Sequence, residues 1–190
     1  MAEVQTAQLT WRGEDELTWR DLDERLPELD RRELHDGVLL VSPSPAVGHQ
    51  RAVGRLFRAL ADWTDQHGGE VLVGPVDVIA AEQRVYQPDL LLVLAEHLEW
   101  LAGKKVHEHP DLVVEVSSPS NRWFDLGAKR DAYARFGVPE YWFVDLKTRA
   151  VRVHRLVGWR YPAPTTVGED ETLGSPLLPG FALPVGHLLR

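Results

Sequence analysis

Asp111-Leu112-Val113-Val114-Glu115-Val116-Ser117 is the stretch whose reading decides the fold. Its apolar residues fill both faces of a period-2 strand, which a sheet accepts only near its centre, with helices covering each side. The run Asp89-Leu90-Leu91-Leu92-Val93-Leu94 has the same character, so both are predicted as mid-sheet strands. Downstream, Leu126, Tyr133 and Phe136 keep helical spacing between Arg122 and Phe136, and Gly137 ends that helix. Glu140-Tyr141-Trp142-Phe143-Val144 then resumes the sheet, giving a strand, helix, strand unit.

Working outward, Val71 to Ala80 reads as a third apolar strand. Before it, Ala52, Val53, Leu56, Phe57, Leu60 and Ala61 mark one buried stripe of a helix from Gly48 to about His67, stopped by Gly68-Gly69. Arg32 to Ser42 reads as a hairpin turning at Asp36-Gly37, a pair that favours the type I′ turn. Thr18 with Asp21 and Leu22 predicts a short capped helix ending near Pro27. Ala150 to Leu156 reads as a half-exposed strand, and the Pro/Gly-rich tail beyond Trp159 as a segment wrapping the sheet edge. The expectation is one α/β (α+β) domain over residues 1–190, with a central mixed sheet flanked by helices and an N-terminal hairpin.

Composition narrows the chemistry. The 190 residues, 44% hydrophobic and 26% charged, are those of an ordinary globular chain. With no cysteine there is no disulfide, thiolate metal site or thiol nucleophile. No stretch reaches the roughly 18 apolar residues of a membrane span, and no signal-like run opens the chain, so a cytoplasmic address is expected. The net charge of −8 counts against non-specific coating of nucleic acid. Locally, Arg51, Arg55 and Arg58 recur at i, i+4, i+7 with no acid between Gly48 and Leu60; the stripe is a candidate nucleic-acid contact or simply a solvated helix face.

Glu115 is the residue that most needs an explanation, because a lone carboxylate within a buried apolar strand is costly. It requires either an ion-pair partner or a metal ion. Two Pro-Asp-Leu triplets, at Pro88-Asp89-Leu90 and Pro110-Asp111-Leu112, each open an apolar strand, and only one of the two aspartates need be functional. If the strands of Asp89 and Glu115 are neighbours, their carboxylates can converge as hard oxygen ligands for Mg²⁺. Lys129 shares a helical face with Tyr133 and Phe136 and can lie over the Glu115 strand, or face solvent as most helical lysines do. His107-Glu108-His109 reads as a polar loop, and Ser117, Ser118 and Ser120 as a strand-to-helix turn with capping duties.

Several segments together resemble one family: Arg32-Glu33-Leu34-His35-Asp36-Gly37, Pro88-Asp89-Leu90, Glu115-Val116-Ser117-Ser118-Pro119-Ser120, Lys129 with Tyr133, and Gly137-Val138-Pro139-Glu140-Tyr141-Trp142-Phe143-Val144-Asp145. The chain is similar to the Uma-two family of restriction endonucleases, within the PD-(D/E)XK nuclease superfamily, from about Thr18 to His187. The resemblance implies a bacterial, divalent-metal-dependent nuclease, with Asp89 and Glu115 binding Mg²⁺ (or Mn²⁺) and the backbone carbonyl of Val116 completing the site. Glu33 would join them from the hairpin. Ser117 stands where the superfamily usually carries its lysine, and Lys129 matches the family's displaced lysine. His49, Ser117 and Tyr133 would support the ligands from behind. DNA is the implied substrate, and cutting both strands of a duplex would favour a homodimer.

Two other readings compete. A non-catalytic nucleic-acid-binding or regulatory protein could keep this fold, as the acidic net charge permits. A metal-independent hydrolase could use Asp89 and Glu115 as general acid and base, and would work in chelator.

Overall fold

The computed structural model describes residues 9–11, 16–25, 31–118 and 122–190. A short strand β1 (Leu9–Trp11) and helix α1 (Trp19–Arg25) precede the hairpin of β2 (Arg32–His35) and β3 (Val38–Val41). Helix α2 (Val47–His67) follows, then β4 (Glu70–Val73), β5 (Val78–Ala81), β6 (Arg84–Tyr86) and β7 (Leu90–Val93). A 3₁₀ segment (Ala95–Leu101) leads to β8 (Leu112–Val116). The next helix runs through α3 (Arg122–Phe124), a π turn (Asp125–Lys129) and α4 (Arg130–Phe136), and β9 (Glu140–Asp145) returns the chain to the sheet. β10 (Ala150–Arg155), β11 (Thr165–Gly168), β12 (Thr172–Ser175), β13 (Leu178–Pro184) and α5 (Val185–Leu188) complete the order.

Local chemistry explains the early elements. The backbone N–H and hydroxyl of Thr18 both donate to Asp21 Oδ2, at 2.8 and 2.7 Å, closing the first turn of α1. The expected end of that helix near Pro27 lies outside the described residues. Asp36 and Gly37 both have positive φ, 49° and 77°, as the type I′ turn of the β2–β3 hairpin demands.

Two main sheets result. One is antiparallel with strand order β1-β3-β2-β6-β5; the other has order β11-β10-β9-β8-β7-β4, and its β8–β9 pair is parallel while the others are antiparallel. The expected mid-sheet strands β7 and β8 sit side by side inside the second sheet, buried at every position. One face of that sheet packs Leu90, Leu92, Leu112, Val114 and Trp142 against Ala52, Val53, Leu56 and Leu60 of α2. The opposite face packs Val113, Tyr141 and Phe143 against Phe124, Ala132 and Tyr133 of the helix from Arg122 to Phe136. That helix stops at Gly137, whose φ of 103° is a left-handed conformation and whose N–H donates to the carbonyls of Tyr133 and Ala134. A Cβ there would also stand 3.1 Å from His109 Cδ2.

Three expectations change. Val71 to Ala80 is not one strand: it splits into β4, paired with β7, and β5, paired with β6 in the other sheet. Gly74-Pro75 falls at the break, where proline lacks the N–H a ladder needs and Gly74 passes so close to Pro88 that a Cβ would lie 2.5 Å from its carbonyl oxygen. The tail beyond Trp159 does more than wrap: β11 pairs with β10, and the β12–β13 hairpin with α5 puts Leu173, Leu178, Val185 and Leu188 into the core under α2. With its edge paired, β10 is mostly buried, with Val151, Val153 and His154 all inside. Among the described residues no helix is long and apolar enough to cross a membrane.

His154 is 2% exposed, its ring lies beside Tyr141 and Tyr161, and neither ring nitrogen has a hydrogen-bond partner. Burial, reinforced by Arg130 and Arg152, holds its pKa down at about 4, against the ordinary 6.5. The unfolded chain therefore takes up this proton first as pH falls. The native state should be fully favoured above pH 6.5 and lose on the order of 3 kcal/mol as pH drops to about 4. In urea titrations across that window, His154→Phe should show a shallower loss than wild type, and equal slopes would refute the assignment.

Candidate active site

Strand parity aims the key acids. In β8, Leu112, Val114 and Val116 face α2 and Val113 faces the other way, so alternation sends Glu115 to the side of Val113. In β7, Leu90 and Leu92 face α2 while Leu91 and Val93 face away, and Asp89, one step before the strand, continues the second set. The register pairs Leu90 with Val114, which brings Asp89 to the level of Glu115. Asp89 Oδ2 accepts the N–H of Val116 at 2.8 Å, tying the two strand ends together.

Lys129 comes down onto this edge from the π turn. Its Nζ lies 2.6 Å from Glu33 Oε1 and 2.6 Å from Glu115 Oε1. Tyr133, one turn further on, donates its hydroxyl to the same Glu115 oxygen at 3.1 Å, and the N–H of Gln87 donates to Glu33 Oε1 at 2.7 Å. The lysine is 2% exposed, Glu115 4% and Glu33 7%, so this is a buried ion triad. Burial, together with neighbouring carboxylates, raises Glu115 well above the usual carboxylate range, against the opposing pull of Lys129. For Lys129 burial alone would lower the pKa, but Glu115, Glu33 and Asp125 reverse that and raise it well above the usual lysine value. The partner demanded by Glu115 is thus a lysine and not an arginine.

The other expected residues divide. His49 Nε2 lies 3.0 Å from Asp89 Oδ2. Ser117 is buried behind the strand end, with its Oγ accepting the N–H of Leu146 at 2.9 Å. Both line one open cavity of about 700 Å³ with Glu33, Asp89, Glu115 and Lys129, and Val116 lines it too. Arg51, Arg55 and Arg58 do not line it. Arg55 turns to the carbonyls of Leu188 and Arg190, while Arg51 and Arg58 are exposed. The second Pro-Asp-Leu aspartate also lies apart: Asp111 accepts the N–H of Leu94 at 2.8 Å and pairs with His97 at 3.0 Å, which serves the chain reversal after β7. Ser120 lies outside the described residues.

The cavity also holds residues that the sequence did not single out. Asp125, on the π turn, is 4% exposed and lines it. Burial, against the pull of Lys129, pushes its carboxyl up to about 7. Its signal was available, since it stands four residues before Lys129 and therefore on the same helical face. Arg31, Arg122 and Lys147 add positive charge to the wall, and Arg122 is held by Asp145 at 2.6 Å.

Among the described residues no three Asp, Glu or His side chains stand together as a ready-made metal-ligating group. By chemistry the cluster fits a hard divalent cation. Glu33, Asp89, Glu115 and Asp125 supply only oxygen donors, and among the described residues Lys129 is the one lysine or arginine ion-paired to any of them.

A mixed sheet carrying acids at one edge with a lysine from the following helix is a nuclease-type fold. The structure is similar to a crystal structure from Anabaena variabilis described as "a putative nuclease belonging to DUF820", with a TM-score of 0.75, 15% identity, and coverage of 88% of this chain and 96% of that one. In sequence, residues 19–186 match the family Uma2, described as "Putative restriction endonuclease". The chain belongs to that family of restriction-endonuclease-like nucleases. A search of curated proteins finds no match.

Removing the shared cation should be severe. Lys129→Met leaves two carboxylates buried without a counter-charge and should cost about 3–5 kcal/mol at neutral pH, read by urea denaturation. Adding Glu115→Gln should recover part of that loss. A Lys129→Met variant as stable as wild type would show that the triad is not the main support of this edge.

Proposed function

We propose that the protein is a divalent-metal-dependent endonuclease that hydrolyses DNA phosphodiester bonds, working in the bacterial cytoplasm. The observation that carries this reading is the meeting of Asp89, Glu115 and Lys129 at one sheet edge, facing one cavity. The size of the cavity, about 700 Å³, suits a nucleotide-sized piece of substrate.

In this reading Asp89 and Glu115, with the carbonyl of Val116, hold Mg²⁺ or Mn²⁺. When bound, such a cation neutralises charge on the phosphate and acidifies a nearby water. The chain's own groups do the rest. Lys129 presents an ammonium whose protonation is secured by Glu33 and Glu115, so it can steady a developing negative charge on a phosphate oxygen. Glu33 fixes that lysine from the hairpin, itself fixed by the Gln87 N–H. Tyr133 and His49 orient Glu115 and Asp89 through the bonds they make to those oxygens. Arg31 and Lys147, on the cavity wall, offer charge to the flanking phosphates. Arg51 and Arg58, exposed on α2, remain available to more distant phosphates. Cutting both strands of a duplex would favour two such sites in a two-fold dimer.

Supercoiled plasmid, incubated with wild type, Asp89→Asn and Glu115→Gln in Mg²⁺, Mn²⁺ or EDTA, tests the reading. Nicking should need the metal and fall at least about a hundredfold in each variant, the equivalent of several kcal/mol of lost charge stabilisation. Cleavage that persists in EDTA would favour a general acid–base hydrolase, and no cleavage with any metal would favour a non-catalytic binding protein.

A further inference from the structure

Single exposed apolar side chains are ordinary on a protein surface, but two large ones stand beside this cavity. Trp123, 67% exposed, follows Arg122 and precedes Asp125 by two positions, and both of those residues line the cavity. Val47, 68% exposed, lies between the lining residues Ala46 and Gly48 at the start of α2, the helix that covers the opposite face of the sheet. The cavity therefore has an exposed apolar group on each side. Its cations divide in two. Lys129 is engaged by Glu33 and Glu115, and Arg122 by Asp145. Arg31 and Lys147 have no carboxylate partner among the described residues, and the Nε of Arg31 is closed off without a hydrogen bond. Lys147 is exposed and Arg31 partly so, whereas Glu33, Glu115 and Asp125 are buried, so a ligand arriving from solvent meets the two unpaired cations before those acids.

An exposed indole next to unpaired cations is the combination that holds a single nucleic-acid strand, through base stacking and phosphate contacts. Stacking does not depend on net charge, and a chain of net charge −8 needs such a contribution, because phosphate neutralisation alone gives it little. Inside a duplex both faces of a base are covered by its neighbours, so an indole can stack only on an unpaired base. A single strand also bends sharply enough to bring a phosphate down to Lys129 and Glu115, which are almost closed to solvent.

We propose that the cavity takes single-stranded DNA, with Trp123 stacking on a base next to the reacting phosphate and Arg31 and Lys147 holding adjoining phosphates. This rests on the endonuclease reading of the site and narrows its substrate to unpaired strands.

Fluorescence anisotropy with the full chain tests the assignment, using a labelled oligothymidylate of about 12 nucleotides, alone or paired with oligodeoxyadenylate, in EDTA and in Mg²⁺. Wild type should bind the single strand at least about tenfold more tightly than the duplex. Trp123→Ala should weaken single-strand binding about tenfold, and Trp123→Phe, which keeps an aromatic face, should recover most of it. Arg31→Gln should weaken binding and flatten its dependence on salt. Trp159→Ala is the control: Trp159 is 73% exposed but lies beyond the end of β10 remote from the cavity, and its loss should change nothing. Equal affinity for both forms of DNA, unchanged affinity in Trp123→Ala, or an equal loss in Trp159→Ala would each overturn the proposal. Metal-dependent nicking of plasmid would then still support the endonuclease reading. No binding of either form, together with no nicking, would overturn both. A drop in sedimentation mass in Trp123→Ala, with oligonucleotide affinity unchanged, would overturn the proposal by making Trp123 a contact between copies of the chain.

Discussion

Lys129 stands between Glu33 and Glu115, and three separate parts of the chain meet through that one ammonium. Glu33 belongs to the N-terminal hairpin, Glu115 to the central strand β8, and Lys129 to the helix that connects β8 to β9. Taking these groups from water is expensive, and the cost is offset only when all are present in good geometry. The hairpin sheet therefore has to dock against the helix-covered face of the central sheet, and a one-residue slip of β8 would turn Glu115 into the apolar layer under α2. The constraint that holds the fold's parts together is thus the same one that assembles the cavity.

The surrounding electrostatics follow from that arrangement. Four acids, Glu33, Asp89, Glu115 and Asp125, and four cations, Arg31, Arg122, Lys129 and Lys147, line the cavity. A separate pair, Arg122 with the fully buried Asp145, links the start of the helix to the end of β9 and keeps positive charge beside the acids without neutralising them. Asp145 gains more from this guanidinium and the bonds from Thr148 than burial costs it, so its carboxyl stays below the usual range.

Much of the frame was legible along the chain. The doubly apolar runs at Leu90 and Leu112, the stripe on α2 and the Asp36-Gly37 turn each carry a local signal that tertiary contacts reinforce. Other features had no local signal. Val71 to Ala80 looks continuous because both halves are apolar, and only pairing with different partners separates them. The arginines of α2 look equivalent, yet Arg55 is drawn to the C-terminal carbonyls by a segment more than a hundred residues away. The two Pro-Asp-Leu triplets read alike, and only the antiparallel arrangement of β7 and β8 puts their aspartates at opposite ends of the pair.

By itself the sequence determined helix α2, the β2–β3 hairpin, the central position of β7 and β8, and the presence of one acid, Glu115, that could not be left alone in its strand. Those facts depend on side-chain periodicity and on the cost of desolvating a charge, both of which are local properties. The tertiary structure alone decided which cation meets Glu115, which of two similar aspartates stands beside it, and that Asp125 joins them on a widened helical turn. Those outcomes depend on distances of a few ångströms between residues far apart in the chain, and strand register and helix placement set such distances only once the whole sheet has formed.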